Sequence, residues 1–211
     1  MMMMMMMMML LPPVAALLHC FLLADLIQSA PVSSPLTEAA ERAKTLVEKI
    51  LRDIPTVHAA TITTQGLTLD SAAQTTNLQM MVTSLGIPAA PVLKPPSERF
   101  TLDDCVSRMA AGSRLYQGLL GVLSDRLSGL SDLRADLRDL LTRINKMKEA
   151  AQLSGGSAAD QSLDLASRLH GNYEVQVATH LTLTQLRSFC HDLIRSLRAV
   201  STYKLRPSGT R

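Results

Sequence analysis

TLDDCVSRMAAGSRLYQGLLGVLSDRL, residues 101–127, decides the fold. Its apolar positions, Leu102, Cys105 with Val106, Met109, Tyr116, Leu119 with Leu120, Leu123 and Leu127, return at steps of three and four, the period of one helix face. Thr101 followed by Asp104 has the form of a capping box, in which hydroxyl and carboxylate each satisfy an amide that the first turn leaves open. Ala110, Ala111, Gly112 and Ser113 fall in the middle. Gly costs up to ~1 kcal/mol relative to Ala there, a cost that makes sense where a neighbouring helix approaches closely. A helix of about 27 residues is about 40 Å long, and its apolar stripe demands partners of similar length.

Three such partners are present. Residues 34–54 open with Ser34 and Pro35 as N-cap and first-turn proline. Leu36, Ala39 with Ala40, Ala43, Leu46 with Val47, Ile50 with Leu51 and Ile54 then repeat the stripe, and Pro55 is expected to end it. Residues 131–151 carry Leu133, Leu137, Leu140 with Leu141, Ile144 and Met147 on one face. Residues 163–200 carry Leu165, Leu169, Tyr173, Val177, Leu181, Leu186, Cys190, Leu193, Leu197 and Val200. The links between these helices are unequal. The first and second are separated by a Thr-rich and then Pro-rich run over 56–100, with a short helix expected at about 75–85. The second and third are separated only by Ser128-Gly129-Leu130, which forces an antiparallel pair. A flexible crossover over 152–162 leads to the last helix, and a basic tail follows over 204–211. Two long links flanking one short link give an all-α, up-up-down-down long-chain four-helix bundle with two long crossover loops.

The first 30 residues read differently. After the methionine run 1–9, residues 10–27 are almost wholly apolar, broken by Pro12, Pro13 and Asp25, and lead into Gln28-Ser29-Ala30-Pro31. This is the pattern of a signal peptide cut near Ala30, too short in its apolar core for the ~20 residues that span a bilayer. The chain is expected to be secreted, with 1–30 as signal peptide and 31–211 as one bundle domain. The formal net charge is +3, and loss of the single leader acid makes it +4. No window interleaves Lys and Arg with aromatics, so nucleic acid is not an expected partner. Stable membrane insertion is not expected either.

Catalysis finds no support. His58, His170, His180 and His191 lack the i, i+4 pairing of a helical zinc site, and neither a G-x-S-x-G elbow nor a G-x-G-x-x-G turn occurs. Isolated helical histidines are expected to face solvent, with His180 alone suited to the edge of the core. No metal or cofactor is expected, and the chain is expected not to be an enzyme. After Cys20 leaves with the leader, Cys105 and Cys190 remain, either as one bridge or as two separately buried thiols.

Four words of the sequence, SLGIPAAP (84–91), the Cys105 start of the organising helix, LYQGLL (115–120) and LRSFCHDLIRSLRAV (186–200), resemble the interleukin-6 group of long-chain four-helix cytokines. The resemblance implies a secreted, monomeric ligand that brings together class I cytokine receptor chains and promotes proliferation and differentiation of granulocyte-lineage cells. On the resemblance, Arg42, Lys49 and Asp53 of the first helix and Asp136 and Asp139 of the third match the family's main receptor-contact face; by helical spacing alone, Asp132 and Arg143 extend the row of the third. The group's cysteine pattern survives only at Cys105, with Pro95 at its expected partner position, and the antiparallel second and fourth helices leave a Cys105–Cys190 bridge as a candidate. Thr45 and Asn77 stand where the family carries acids of a second contact. An exchangeable lipid-binding bundle is the reading from another class. It calls for broad apolar faces rimmed by Lys and Arg, whereas Asp132, Asp136 and Asp139 make the rim of the third helix acidic.

Overall fold

The computed structural model describes residues 34–69, 76–153 and 164–203. The expected leader, most of the second crossover and the basic tail lie outside the described residues. Six helices are present among those described: α1 Pro35–Thr61, α2 Thr76–Leu85, α3 Leu102–Ser124, α4 Ser131–Ala150, α5 Leu165–Arg168 and α6 Asn172–Ser201. The four long ones, α1, α3, α4 and α6, form the bundle, and the sole β feature among the described residues is an isolated bridge between Ser97 and Phe100.

Their directions follow from who meets whom. Thr37, at the start of α1, donates to the carbonyl of Ser201 at the end of α6 (3.2 Å), while His58 and His180 meet at the opposite ends, so α1 and α6 are antiparallel. Lys49 of α1 pairs with Asp136 of α4, and Thr61 at the end of α1 lies against Gly129 just before α4. Helices α1 and α4 are therefore antiparallel as well. The short turn makes α3 antiparallel to α4, which leaves α1 parallel to α3 and α4 parallel to α6. This is the up-up-down-down order, with α1 packed between α6 and α4 and α3 completing the ring against the same two.

The caps form as their residue types require. Ser34 Oγ accepts from Thr37 N (3.2 Å). Thr101 and Asp104 make the reciprocal box, with Asp104 N donating to Thr101 Oγ1 (3.1 Å) and Thr101 N to Asp104 Oδ2 (3.2 Å). The core runs through Ala43, Val47 and Ile50 of α1, Met109, Tyr116 and Leu119 of α3, Leu137, Leu140 and Ile144 of α4, and Leu181, Leu186 and Leu193 of α6, all buried. Gly112 marks a close approach of α3 to α6. The Phe189 ring of α6 lies directly over it, so that a Cβ there would sit 2.4 Å from Phe189 Cζ. Tyr116, one turn on, packs against the same ring at 5.3 Å between centroids.

Three expectations change, and one open alternative is decided. Helix α1 does not stop at Pro55 but continues to Thr61. Pro55 is on the exposed side, where water can serve the carbonyl that loses its partner, and the buried His58 and Thr61 beyond it are held by packing. Helix α3 ends at Ser124 rather than Leu127, and Leu127 is half-buried in the turn. The last helix is broken at 169–171, where extended Gly171 caps α6 separately from α5. Tyr173 of its expected buried row is 55% exposed as a result. Finally, Cys105 and Cys190 are both buried and free. Cys190 lies near Tyr116, about 16 Å along α3 from Cys105 at 1.5 Å per residue, well beyond the reach of a bridge. Burial pushes the Cys105 thiol up to about 11 and the Cys190 thiol up to about 12.

The first crossover is anchored rather than loose. Gly86, with φ +65°, ends α2 by a left-handed residue, and Ile87 N donates back to Val82 O (3.1 Å). Arg168 of α5 lies against Gly86 and donates to Ser84 O (2.9 Å), tying the word SLGIP to the start of the last helical segment. Leu85, Ile87 and Phe100 plug into the core.

Candidate functional site

The charged residues singled out on α1 and α4 share one face. On α1, Glu38 and Arg42 pair one turn apart, and Lys49 Nζ lies 3.1 Å from Asp53 Oδ2. The same ammonium reaches across the helix boundary to Asp136 Oδ2 on α4. Hydrogen bonds from Lys49 to Asp136 and then to Asp53 raise the Lys49 pKa above its ordinary value. Asp136 is the most sheltered of these groups, with 17% of its side chain exposed, whereas Arg42 is 64% exposed. Asp139, one turn along from Asp136, faces Arg42 across a cleft of about 290 Å³ whose walls include Glu38, Ala39, Arg143 and Lys146. A second hollow of about 410 Å³ continues along α1, bounded by Thr45, Leu46, Lys49 and Arg52 and sharing Arg42 and Arg143 with the first.

The five expected residues therefore fall together, but their roles differ. Arg42 and Asp139 line open surface, while Lys49, Asp53 and Asp136 form a closed cross-helix ion-pair group. Asp132 is exposed at the start of α4. The Thr45 hydroxyl donates to Glu41 O (3.1 Å) on its own helix, leaving a neutral, methyl-bearing patch in the second hollow. Glu38, Arg52 and Lys146 also belong to the face. Glu38 and Lys146 were legible as the i−4 neighbour of Arg42 and the i+7 neighbour of Asp139. The face has ions of both signs, small apolar patches and shallow relief. Among the described residues no group of three or more His, Cys, Asp or Glu side chains is placed to hold a metal ion. No described helix is long and apolar enough to cross a membrane.

One histidine falls elsewhere than expected. His58, expected to face solvent, is buried (7% exposed) against His180 (2% exposed), with Nε2 and Nδ1 2.9 Å apart. The first turns of α6, residues 175–183, are buried on every side, because the first crossover covers the flank that the bundle leaves open.

No protein-family model matches the chain. Among known proteins it is similar to granulocyte colony-stimulating factor of pig, 25% identical over 174 residues that cover 80% of this chain and 88% of that protein. It is 30% identical to the human protein of the same name over 119 residues, covering 54% of this chain and 56% of that one. The bovine protein is 28% identical over 125 residues, 57% of this chain and 63% of its own length.

Proposed function

We propose that the chain is a secreted haematopoietic cytokine, cut from a signal peptide near Ala30, that engages a class I cytokine receptor of the granulocyte colony-stimulating factor receptor kind through the α1–α4 face and promotes granulocyte-lineage proliferation and differentiation. The observation that carries this reading is the similarity to granulocyte colony-stimulating factor over 80% of the chain. The up-up-down-down order supports it, since this is the order of growth-hormone and cytokine bundles. Such a ligand does no chemistry. A rigid monomer presents separate surfaces to two receptor chains and holds them together. On the α1–α4 face, Arg42 and Asp139 meet the partner directly, while Lys49, Asp53 and Asp136 fix the spacing of the two helices beneath it. Exposed rim charges of this kind govern association rate and selectivity more than residence time.

Kinetics of binding to a panel of class I receptor ectodomains test it. Exchanging Arg42→Glu together with Asp139→Lys is expected to slow association about tenfold with one member of the panel, and to leave helical content and melting unchanged. Unaltered association would remove the face from the proposal. Binding to no ectodomain, with flotation on liposomes instead, would replace the cytokine reading by the lipid-binding one.

A further inference from the structure

At the end of the bundle away from the α1 N-terminus, four contacts fasten one short stretch of chain to α6. His58 meets His180 at 2.9 Å. Gln176, one turn before His180, donates through Nε2 to Thr61 O (3.0 Å) and accepts through Oε1 from Thr63 N (2.8 Å). Arg187 donates to Leu69 O at 3.5 Å. The stretch so held begins just after Pro55, which lacks the N–H that would bond back to Leu51 O, so the continuous helix Pro35–Thr61 is one hydrogen bond short there. We propose that the His58–His180 hydrogen bond, with the Gln176 clamp, is an acid-released latch that holds residues 56–69, hinged at Pro55, against the start of α6.

The chemistry is that of a shared proton. Two neutral imidazoles make one N–H···N bond, one donating and the other accepting. A first proton leaves a buried cation, and a second leaves two donors facing each other with no acceptor. Among the described residues no ionised group relieves this. Residues 62–69 (ITTQGLTL) contain no ionisable side chain. On α6, Glu174 folds back over Gly171 and Arg187 is engaged by Leu69. Asp125 and Arg126 of the α3–α4 turn are exposed. Burial lowers the pKa of both rings, and each opposes the charging of the other, most clearly at His180.

The sign follows. With both folded-state values below the ordinary 6.5, the latched state binds fewer protons than the open one. Latching is thus at full strength above about pH 6.5 and is lost as pH falls below it. At pH 5.5 each released imidazole favours the open state about 11-fold, so the opening equilibrium rises about tenfold if one ring must stay neutral and about hundredfold if both must. The residues lining the α1–α4 clefts include no histidine.

Hydrogen exchange of the purified protein at pH 7.5 and 5.5, corrected for intrinsic rates, reads this directly. Amides of 56–69 and of the first turns of α6 are expected to open about ten- to hundredfold more often at pH 5.5, with the middle of α3 unchanged. His58→Gln with His180→Gln keeps hydrogen-bonding amides without the titration and is expected to abolish the difference. Equal opening at both pH values, acceleration spread evenly over the bundle, or acceleration retained in the double variant would each overturn the latch. Should the double variant not fold, an NMR titration of the two wild-type imidazoles decides. Midpoints below 6.5 that coincide with loss of protection in 56–69 support the latch, and either ring titrating at 6.5 with protection intact overturns it.

Discussion

Gly112→Ala is the sharpest test of how closely α3 and α6 approach. In an ordinary helix interior this change stabilises by up to ~1 kcal/mol, because Ala fixes the backbone at lower entropic cost. Here the new methyl would lie 2.4 Å from both Cε2 and Cζ of Phe189, against about 3.5–4.0 Å for carbon atoms at rest. The ring must retreat by more than about 1 Å. It has no empty space to enter, being 4% exposed and tilted against Tyr116 with centroids 5.3 Å apart. Overpacking of this kind costs about 1–3 kcal/mol, and disturbing the aromatic pair adds ~0.5–1.5 kcal/mol. After a helix gain of about 1 kcal/mol is set against these, the net is a loss of about 0.5–3.5 kcal/mol, or a Tm lower by about 1–14 °C for a domain of this size. Urea and thermal unfolding measure it. The double variant Gly112→Ala, Phe189→Leu, with a smaller side chain over the methyl, is expected to be more stable than the sum of its single changes by about 1 kcal/mol. A Gly112→Ala protein that melts higher than the parent, with no coupling to position 189, would refute the close approach.

Two further outcomes are expected. Leu119→Ala removes a fully buried side chain at the centre of α3 and should cost about 2–5 kcal/mol in urea unfolding; a negligible loss would place α3 elsewhere. The thiols of Cys105 and Cys190, pushed up to about 11 and about 12, should resist alkylation at pH 8 in the native protein and react promptly in denaturant, whereas fast native labelling, or a bridge between them by mass spectrometry, would contradict their separate burial.

What the sequence disclosed and what it hid differ by the distance over which residues must agree. The capping box of Thr101 and Asp104, the three-and-four spacing of the core rows and the loop lengths that set the bundle order are all local, and each was readable as chemistry within a few residues. Gly112 was readable as a close approach, though not that Phe189 fills it. The word SLGIP carried its reason in part, since Gly86 takes a φ of +65° that other residues rarely adopt, but the Arg168 side chain that rests on it comes from far along the chain. The rest depended on pairings that no local pattern encodes. Pro55 looks like a helix end until His58 and Thr61 are seen to be buried beyond it. His58 and His180 are 122 positions apart, and Lys49 and Asp136 are 87 apart. Single-face periodicity also misjudged the start of α6, because a crossover loop buries its second side.

The cross-helix pairing of Lys49 alters what the α1–α4 face can offer a partner. Read from sequence, Asp132, Asp136 and Asp139 form an acidic row that invites a basic surface. In the folded chain Asp136 is already committed to Lys49, which Asp53 also holds. Asp132 and Asp139 stay exposed, Asp139 beside Arg143 and Lys146, while Arg42 pairs with Glu38. A partner selected by net sign alone would gain little from such a mixture, since each ion has a counter-ion nearby and exposed pairs contribute about 0–1 kcal/mol. A partner with the complementary order of signs gains at each of these positions, and one with the order shifted by a single helical turn meets like charges at some of them. For such a partner selectivity would come from register, which the buried rows of α1 and α4 set and the Lys49–Asp136 bridge matches.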